Sequence, residues 1–141
     1  MNNGLRKIEL LAPAKNLECG IAAIDHGADA VYIGAAQFGA RQTAGNSTED
    51  IAELTRYAHQ FGVAVYVTVN TIVYEKELQA LEHLLRQLVE MGVDAILVQD
   101  MAVLEIYKKL KAEYMTCGYR MPALHASTQT DNRSADKVEW L

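Results

Sequence analysis

The stretch His26-Gly27-Ala28-Asp29-Ala30-Val31-Tyr32-Ile33-Gly34 decides how this chain is read, because it comes back twice. It recurs as Phe61-Gly62-Val63-Ala64-Val65-Tyr66-Val67-Thr68-Val69, and again as Met91-Gly92-Val93-Asp94-Ala95-Ile96-Leu97-Val98-Gln99. Each copy follows an amphipathic run, places glycine where a helix must end, and opens a short β-rich stretch. Glycine suits that place because it enters the left-handed region without the steric cost of a Cβ. Successive copies are separated by about one strand-plus-helix unit.

Working outward, Ile8–Ala12 reads as a first strand closed by Pro13, and Asn16 caps a helix running to about His26. Residues 30–34 form a second strand, followed by a long loop to Ser47. Thr48–Gln60 is a helix, its start marked by Asn46, Ser47 and Thr48 with Glu49 and Asp50 in the first turn. Val63–Asn70 is a third strand, Glu75–Met91 a long helix, 94–98 a fourth strand and Met101–Tyr114 a helix. A loop holding Gly118 and Pro122 leads to a fifth strand, Ala123–Ser127. A last helix starts at Ser134 and reaches Leu141 with no cap or breaker.

Strands alternating with helices through short connections imply an α/β fold with a parallel sheet, since parallel neighbours need crossover connections. Two architectures compete. A five-strand doubly wound sheet fits 141 residues. A TIM-type (β/α) barrel needs eight units and roughly 250 residues, so this chain would supply about five of them. The uncapped end favours a fragment of the larger barrel. So does the alternation within the strands. Tyr66, Thr68 and Asn70 share one side of the third strand and Val65, Val67 and Val69 the other; His125, Ser127 and Gln129 share one side of the fifth. Glu9 faces with Leu11. A sheet covered on both faces should be apolar on both, so polar rows suit a barrel interior.

Composition sets the outer limits. Half the residues are hydrophobic, 22% are charged and the net charge is −5, so no global basic field draws the chain to nucleic acid or anionic lipid. The two cysteines, Cys19 and Cys117, form neither a C-x-x-C pair nor a disulfide framework. They are expected to be structural thiols in a reducing cytosol. The N-terminus lacks a signal-peptide pattern and no run is long enough to span a membrane. The expectation is a soluble, cytoplasmic, single α/β domain over 1–141 whose first seven residues form a disordered tail.

Ligands bind beyond the C-terminal ends of strands in either architecture. That rule selects 13–16, 34–48, 70–74, 99–100 and 125–132. The loop from Gly34 to Thr48 carries Gly39, Gly45 and Arg41, a combination suited to phosphate or carboxylate. A capped helix start with a solvated arginine explains it about as well. No G-x-G-x-x-G or Walker pattern is present. His125 is the best general acid–base candidate, with Ser127 and Gln129 beside it, although a polar strand end held by hydrogen bonds is the simpler reading. Glu9, if it points inward, needs a partner, for which Arg41 is the candidate. His26 and His59 fall in last helical turns, where a cation is welcome, and His83 lies on a helix. No pattern of metal ligands appears. The acidic residues of 75–113 mostly alternate with Lys and Arg as a solvated face.

At these same residues the sequence resembles the collagenase-like peptidase family, peptidase family U32. The segments are Glu9-Leu-Leu-Ala-Pro-Ala14 with Asn16-Leu17, Ala22–Gly34, Phe38-Gly39-Ala-Arg41, Gly45-Asn46, Tyr66-Val-Thr-Val-Asn-Thr71, Gly92-Val-Asp-Ala95 and His125-Ala-Ser-Thr-Gln129. The resemblance runs from about Ile8 to the last residue. It implies the N-terminal part of a barrel and a peptidase acting on peptide bonds at the strands' C-terminal ends, with His125, Ser127 and Glu9 as catalytic candidates. Gly34, Gly39, Arg41, Asn46, Asn70 and Gln129 are the substrate-binding candidates. Other members of the family take part in oxygen-independent hydroxylation of RNA bases or quinone precursors, with an iron–sulfur cluster on cysteines beyond this part. The alternatives are therefore a tRNA, rRNA or quinone-precursor hydroxylation enzyme whose cluster lies outside the chain, or a non-catalytic anion-binding module. No cofactor is expected within residues 1–141. The first and fifth strands of an incomplete barrel would be open edges, so self-association is expected.

Overall fold

The computed structural model describes residues 8–39 and 45–140. Five strands pair in parallel in chain order: β1 (Leu11–Ala14), β2 (Ala30–Gly34), β3 (Ala64–Val69), β4 (Ala95–Val98) and β5 (Ala123–Ala126). Between them run α1 (Leu17–Asp25), α2 (Thr48–Gln60), α3 (Leu78–Met91) and α4 (Met101–Tyr114), and α5 (Ala135–Trp140) follows β5. A doubly wound sheet reverses direction about its first strand, which then lies inside the sheet. Here β1 is an edge, so that alternative is excluded.

Register sorts the side chains into two faces. Val31, Ile33, Val65, Val67, Val69, Ile96 and Val98 point to the helices and form one buried core with Ile51, Leu54, Leu81, Leu85, Leu88 and Leu110. The opposite face carries rows: Pro13, Tyr32, Tyr66, Ala95 and Ala123, then Gly34, Thr68, Leu97 and His125. Three contacts on that face join strands that are not neighbours. The Tyr66 hydroxyl donates to Glu9 Oε2 at 2.9 Å, the Tyr66 and His125 rings meet edge-on with centroids 5.1 Å apart, and Asn70 Nδ2 donates to Ser127 Oγ at 3.2 Å. Strands two apart in a flat sheet are separated by about 9.5 Å. Only a sheet curled toward this face brings such side chains together. The five units are an open arc of a cylinder, polar inside and wrapped by helices outside.

The repeat seen in the sequence sets the register of this arc. Asp29 donates its N–H to the Leu10 carbonyl at 2.9 Å and accepts the Leu10 N–H on Oδ2 at 2.8 Å. Asp94 makes the same reciprocal pair with Val65, at 2.9 and 2.8 Å. Their own carbonyls then take the N–H groups of Ala64 and Ala123 at the start of the next strand. The glycine before each, Gly27 and Gly92, has positive φ, as does Gly62 of the middle copy. Gly20 serves packing instead: a Cβ there would lie 2.7 Å from the Leu54 side chain, so its absence lets α1 sit against α2.

Two expectations need correcting. Pro13 lies inside β1 and does not close it, because the strand runs Leu11–Ala14. The Leu10 carbonyl takes the Ala30 N–H, so alternate residues turn their backbone groups to β2 while Leu11 and Pro13 face the open edge. Proline is tolerated where no ladder bond is needed. The cysteines are exposed, both of them. By contrast the Asn16 cap, β2, α2 and α4 fall where the sequence places them, and α2 begins with a capping box between Ser47 and Asp50. The helix expected over Glu75–Met91 opens with one 3-10 turn, Glu75–Glu77. On the outer surface Arg86 joins Glu82 and Glu113, and holds both carboxyls below their ordinary range.

Candidate functional site

At the C-terminal ends of the strands the arc encloses a bowl of about 610 Å³. Its wall is supplied by every strand: Lys15 and Cys19 follow β1, Tyr32 and Gly34 belong to β2, Thr68 belongs to β3 and Asn70 follows it, Leu97 belongs to β4, and Ser127 and Gln129 follow β5. The loop after β2 braces this rim. Phe38, 1% exposed, plugs into the core, and its carbonyl accepts the Asn70 N–H at 3.0 Å and the Thr71 hydroxyl at 3.3 Å. Asn46, also buried, spends Nδ2 on the carbonyls of Lys15 (3.1 Å) and Gly34 (3.0 Å). It stitches the ends of β1 and β2 together. On the other side of the bowl Asp100 caps α4 and accepts the Val73 N–H at 2.9 Å, fixing the exit of β3.

The structure brings Gly34, Asn70, Ser127 and Gln129 together on the bowl. Gly39 sits in the bracing loop, where its N–H donates to the Ala35 carbonyl and a Cβ would crowd that oxygen at 2.9 Å. Arg41 lies outside the described residues, as does its suggested pairing with Glu9. Glu9 precedes β1, at the end of the sheet away from the bowl, and its partner is the Tyr66 hydroxyl. His125 is exposed and stands one row below Ser127, against Tyr66. The three catalytic candidates thus divide in two: Glu9 and His125 meet at Tyr66, while Ser127 belongs to the bowl. Ser127 Oγ accepts from Asn70 Nδ2 at 3.2 Å and from the Gln129 N–H at 3.3 Å. Among the described residues no hydrogen bond joins Ser127 to His125.

Cys19, Tyr32, Thr68 and Tyr66 are not among the site residues that the sequence suggests, and Lys15 is there only as part of the segment 13–16. The alternation within β3 that selected Asn70 also places Tyr66 and Thr68 on the same face; that was the available signal. Tyr66 is itself perturbed by this setting. Burial, then the hydrogen bond and negative charge of Glu9, push its hydroxyl up to about 12. A tyrosine near 10 in the unfolded chain and near 12 in the folded one binds more protons when folded. Its contribution is full below about pH 10 and fades between about pH 10 and 12. Replacing Tyr66 with Phe is expected to flatten that part of the stability–pH curve, measured by denaturant unfolding at successive pH values. A slope equal to that of the parent protein would contradict the assignment.

The other histidines act where the sequence suggested. His26 ring nitrogen meets the Ala22 carbonyl at 2.7 Å at the end of α1, and His59 in the last turn of α2 meets Asp94 Oδ2 at 2.9 Å. The thiols do not fit an iron–sulfur cluster. Cys19 opens on the bowl, whereas Cys117 follows α4 at the opposite end of the arc. Among the described residues no group of three His, Cys, Asp or Glu could hold a metal ion, and no helix is long and apolar enough to cross a membrane.

Comparison with known proteins agrees with this architecture. The sequence profile of Peptidase family U32 matches residues 15–141. A 23S rRNA 5-hydroxycytidine synthase of Escherichia coli is 44% identical over 137 residues, covering 96% of this chain and 19% of its own length. A tRNA hydroxylation protein of Bacillus subtilis is 40% identical over 106 residues, 74% of this chain and 25% of that protein. A collagenase of Porphyromonas gingivalis is 27% identical over 134 residues, 94% of this chain and 30% of that protein. The chain therefore spans from about a fifth to under a third of these relatives. In fold it is similar to an alpha-amylase from Lactobacillus plantarum, with a TM-score of 0.50 at 12% identity over 84% of this chain and 45% of the other. With its profile match, its ordered motifs and its open arc of parallel strands, the chain belongs to Peptidase family U32.

Proposed function

We propose that this chain forms part of the substrate-holding barrel of a protein that takes part in hydroxylating an RNA base. Peptide hydrolysis is the competing reading. The observation that carries the choice is the state of Ser127. Its oxygen accepts two hydrogen bonds, from Asn70 and from the Gln129 N–H, and no base among the described residues stands ready to take its proton. A serine nucleophile needs such a base within hydrogen-bond reach. Besides Lys15, Cys19 and apolar side chains, the bowl is lined by the hydroxyls of Thr68, Ser127 and Thr128, the amides of Asn70 and Gln129 and the ring of Tyr32, groups suited to holding and orienting a polar ring. The relatives named for rRNA and tRNA hydroxylation, at 44% and 40% identity, support the same direction.

An iron–sulfur cluster would need ligands other than Cys19 and Cys117, which stand at opposite ends of the arc. The test is nucleoside mass spectrometry of rRNA and tRNA from cells with and without the gene that encodes the chain. Loss of a hydroxylated nucleoside, restored by re-expression and weakened by Asn70→Ala, is the expected result. Unchanged nucleosides together with a peptidase activity that Ser127→Ala abolishes would overturn it in favour of the competing reading.

A further inference from the structure

We propose that the bowl is an oxyanion site in which Lys15 pairs with a carboxylate or phosphate group and Ser127 donates a hydrogen bond to it. Three observations converge. First, among the described residues the bowl is lined by one formally charged side chain, Lys15, and by no carboxylate, although the chain as a whole carries −5. Second, the Lys15 ammonium has no hydrogen-bond or ion-pair partner among the described residues. Third, Ser127 is 3% exposed, yet its hydroxyl is only half used. Its two acceptor positions are taken by Asn70 and the Gln129 N–H, which leaves the O–H proton with no acceptor among the described residues. A buried donor without an acceptor is costly. A ligand oxygen in the bowl would take it.

The sign of the site follows from the same inventory. A cation or a metal ion would meet Lys15 and find no acidic ligand among the described residues of the wall. An anion would meet one full positive charge, the Ser127 O–H and the Thr68 hydroxyl, with the Gln129 amide at the rim. This places the anion at the ends of β1 and β5. The inference stands on the bowl alone and holds whether or not the chain serves RNA hydroxylation. A free small acid or phosphate and the phosphodiester of a polynucleotide share this chemistry, so both enter the test.

Cys19 is a reporter already in place, because it is exposed and lines the bowl, while Cys117 is exposed at the far end of the arc. Alkylation by neutral iodoacetamide, followed at each cysteine by mass spectrometry, should slow at Cys19 when inorganic phosphate is added at constant ionic strength. Protection by a ligand at ten times its dissociation constant is roughly tenfold. Cys117 should be unaffected, and Lys15→Gln should remove the protection while leaving the circular dichroism spectrum unchanged. Protection by phosphate assigns the site to a free anion. Protection by a short single-stranded oligoribonucleotide, but not by phosphate, assigns it to the RNA backbone; both outcomes support an oxyanion site. Equal slowing at both cysteines, no slowing with either probe, or protection that survives Lys15→Gln would overturn it.

Discussion

Phe38→Ala should unfold this protein at a much lower denaturant concentration than the parent chain, with a loss of about 3–5 kcal/mol. Phe38 is among the largest fully buried side chains, and it is the loop's own anchor in the core. Truncating a buried aromatic loses its transfer energy and leaves a cavity that rigid strands cannot fill. Typical domains have only about 5–15 kcal/mol in all. The effect should also reach the bowl, since the Phe38 carbonyl holds the Asn70 N–H and the Thr71 hydroxyl. Hydrogen exchange at the Asn70 amide should therefore rise by more than exchange in α3, whose buried leucines do not touch the bowl. A loss under about 1 kcal/mol would mean the loop is not anchored as described.

The second large effect concerns the repeated aspartate. Asp94→Ala should cost about 2–4 kcal/mol, because it removes at once the acceptor of the Val65 N–H, the partner of His59 and the longer contact with Arg120. The Val65 amide would be left buried without an acceptor in the middle of the sheet. Asp94→Asn keeps one acceptor oxygen and should recover part of the loss. Thermal and urea unfolding of the two variants check this ordering; equal stability of Asp94→Ala and the parent would contradict it. Asp29→Ala is expected to cost less. Asp29 is exposed and ties down only Leu10, at the edge strand.

Much of the arc was legible because its signals are local. The Gly-x-Asp-Ala punctuation, the Asn16 cap and the Ser47 box depend on neighbours a few residues away. The period-two rows in β3 and β5 depend only on the pleat. What was not legible depends on strand order and on curvature. Pro13 looks like a terminator until one knows that β1 is an edge and that Pro13 faces outward from it. Glu9 called for a partner, but the identity of Tyr66 as that partner spans two strands of a curved sheet. The same holds for Asn70 and Ser127, which are 57 positions apart and both buried. His125 and Ser127 are neighbours in the sequence pattern and belong to different rows of the interior. Spacing along the strand could not separate them. The exposed cysteines ran against the usual burial of that residue type, because α1 sets Cys19 in its first turn, beside the bowl.

The curvature of the sheet is the claim on which the bowl, the divided candidates and the oxyanion site all depend. It can be measured without altering a residue, by nuclear Overhauser contacts between the ring protons of Tyr66 and His125 in the native protein. An arc with centroids 5.1 Å apart predicts strong cross-peaks between these rings, although their strands are not neighbours. Their absence, with the rings about 9.5 Å apart as in a flat sheet, would contradict the account.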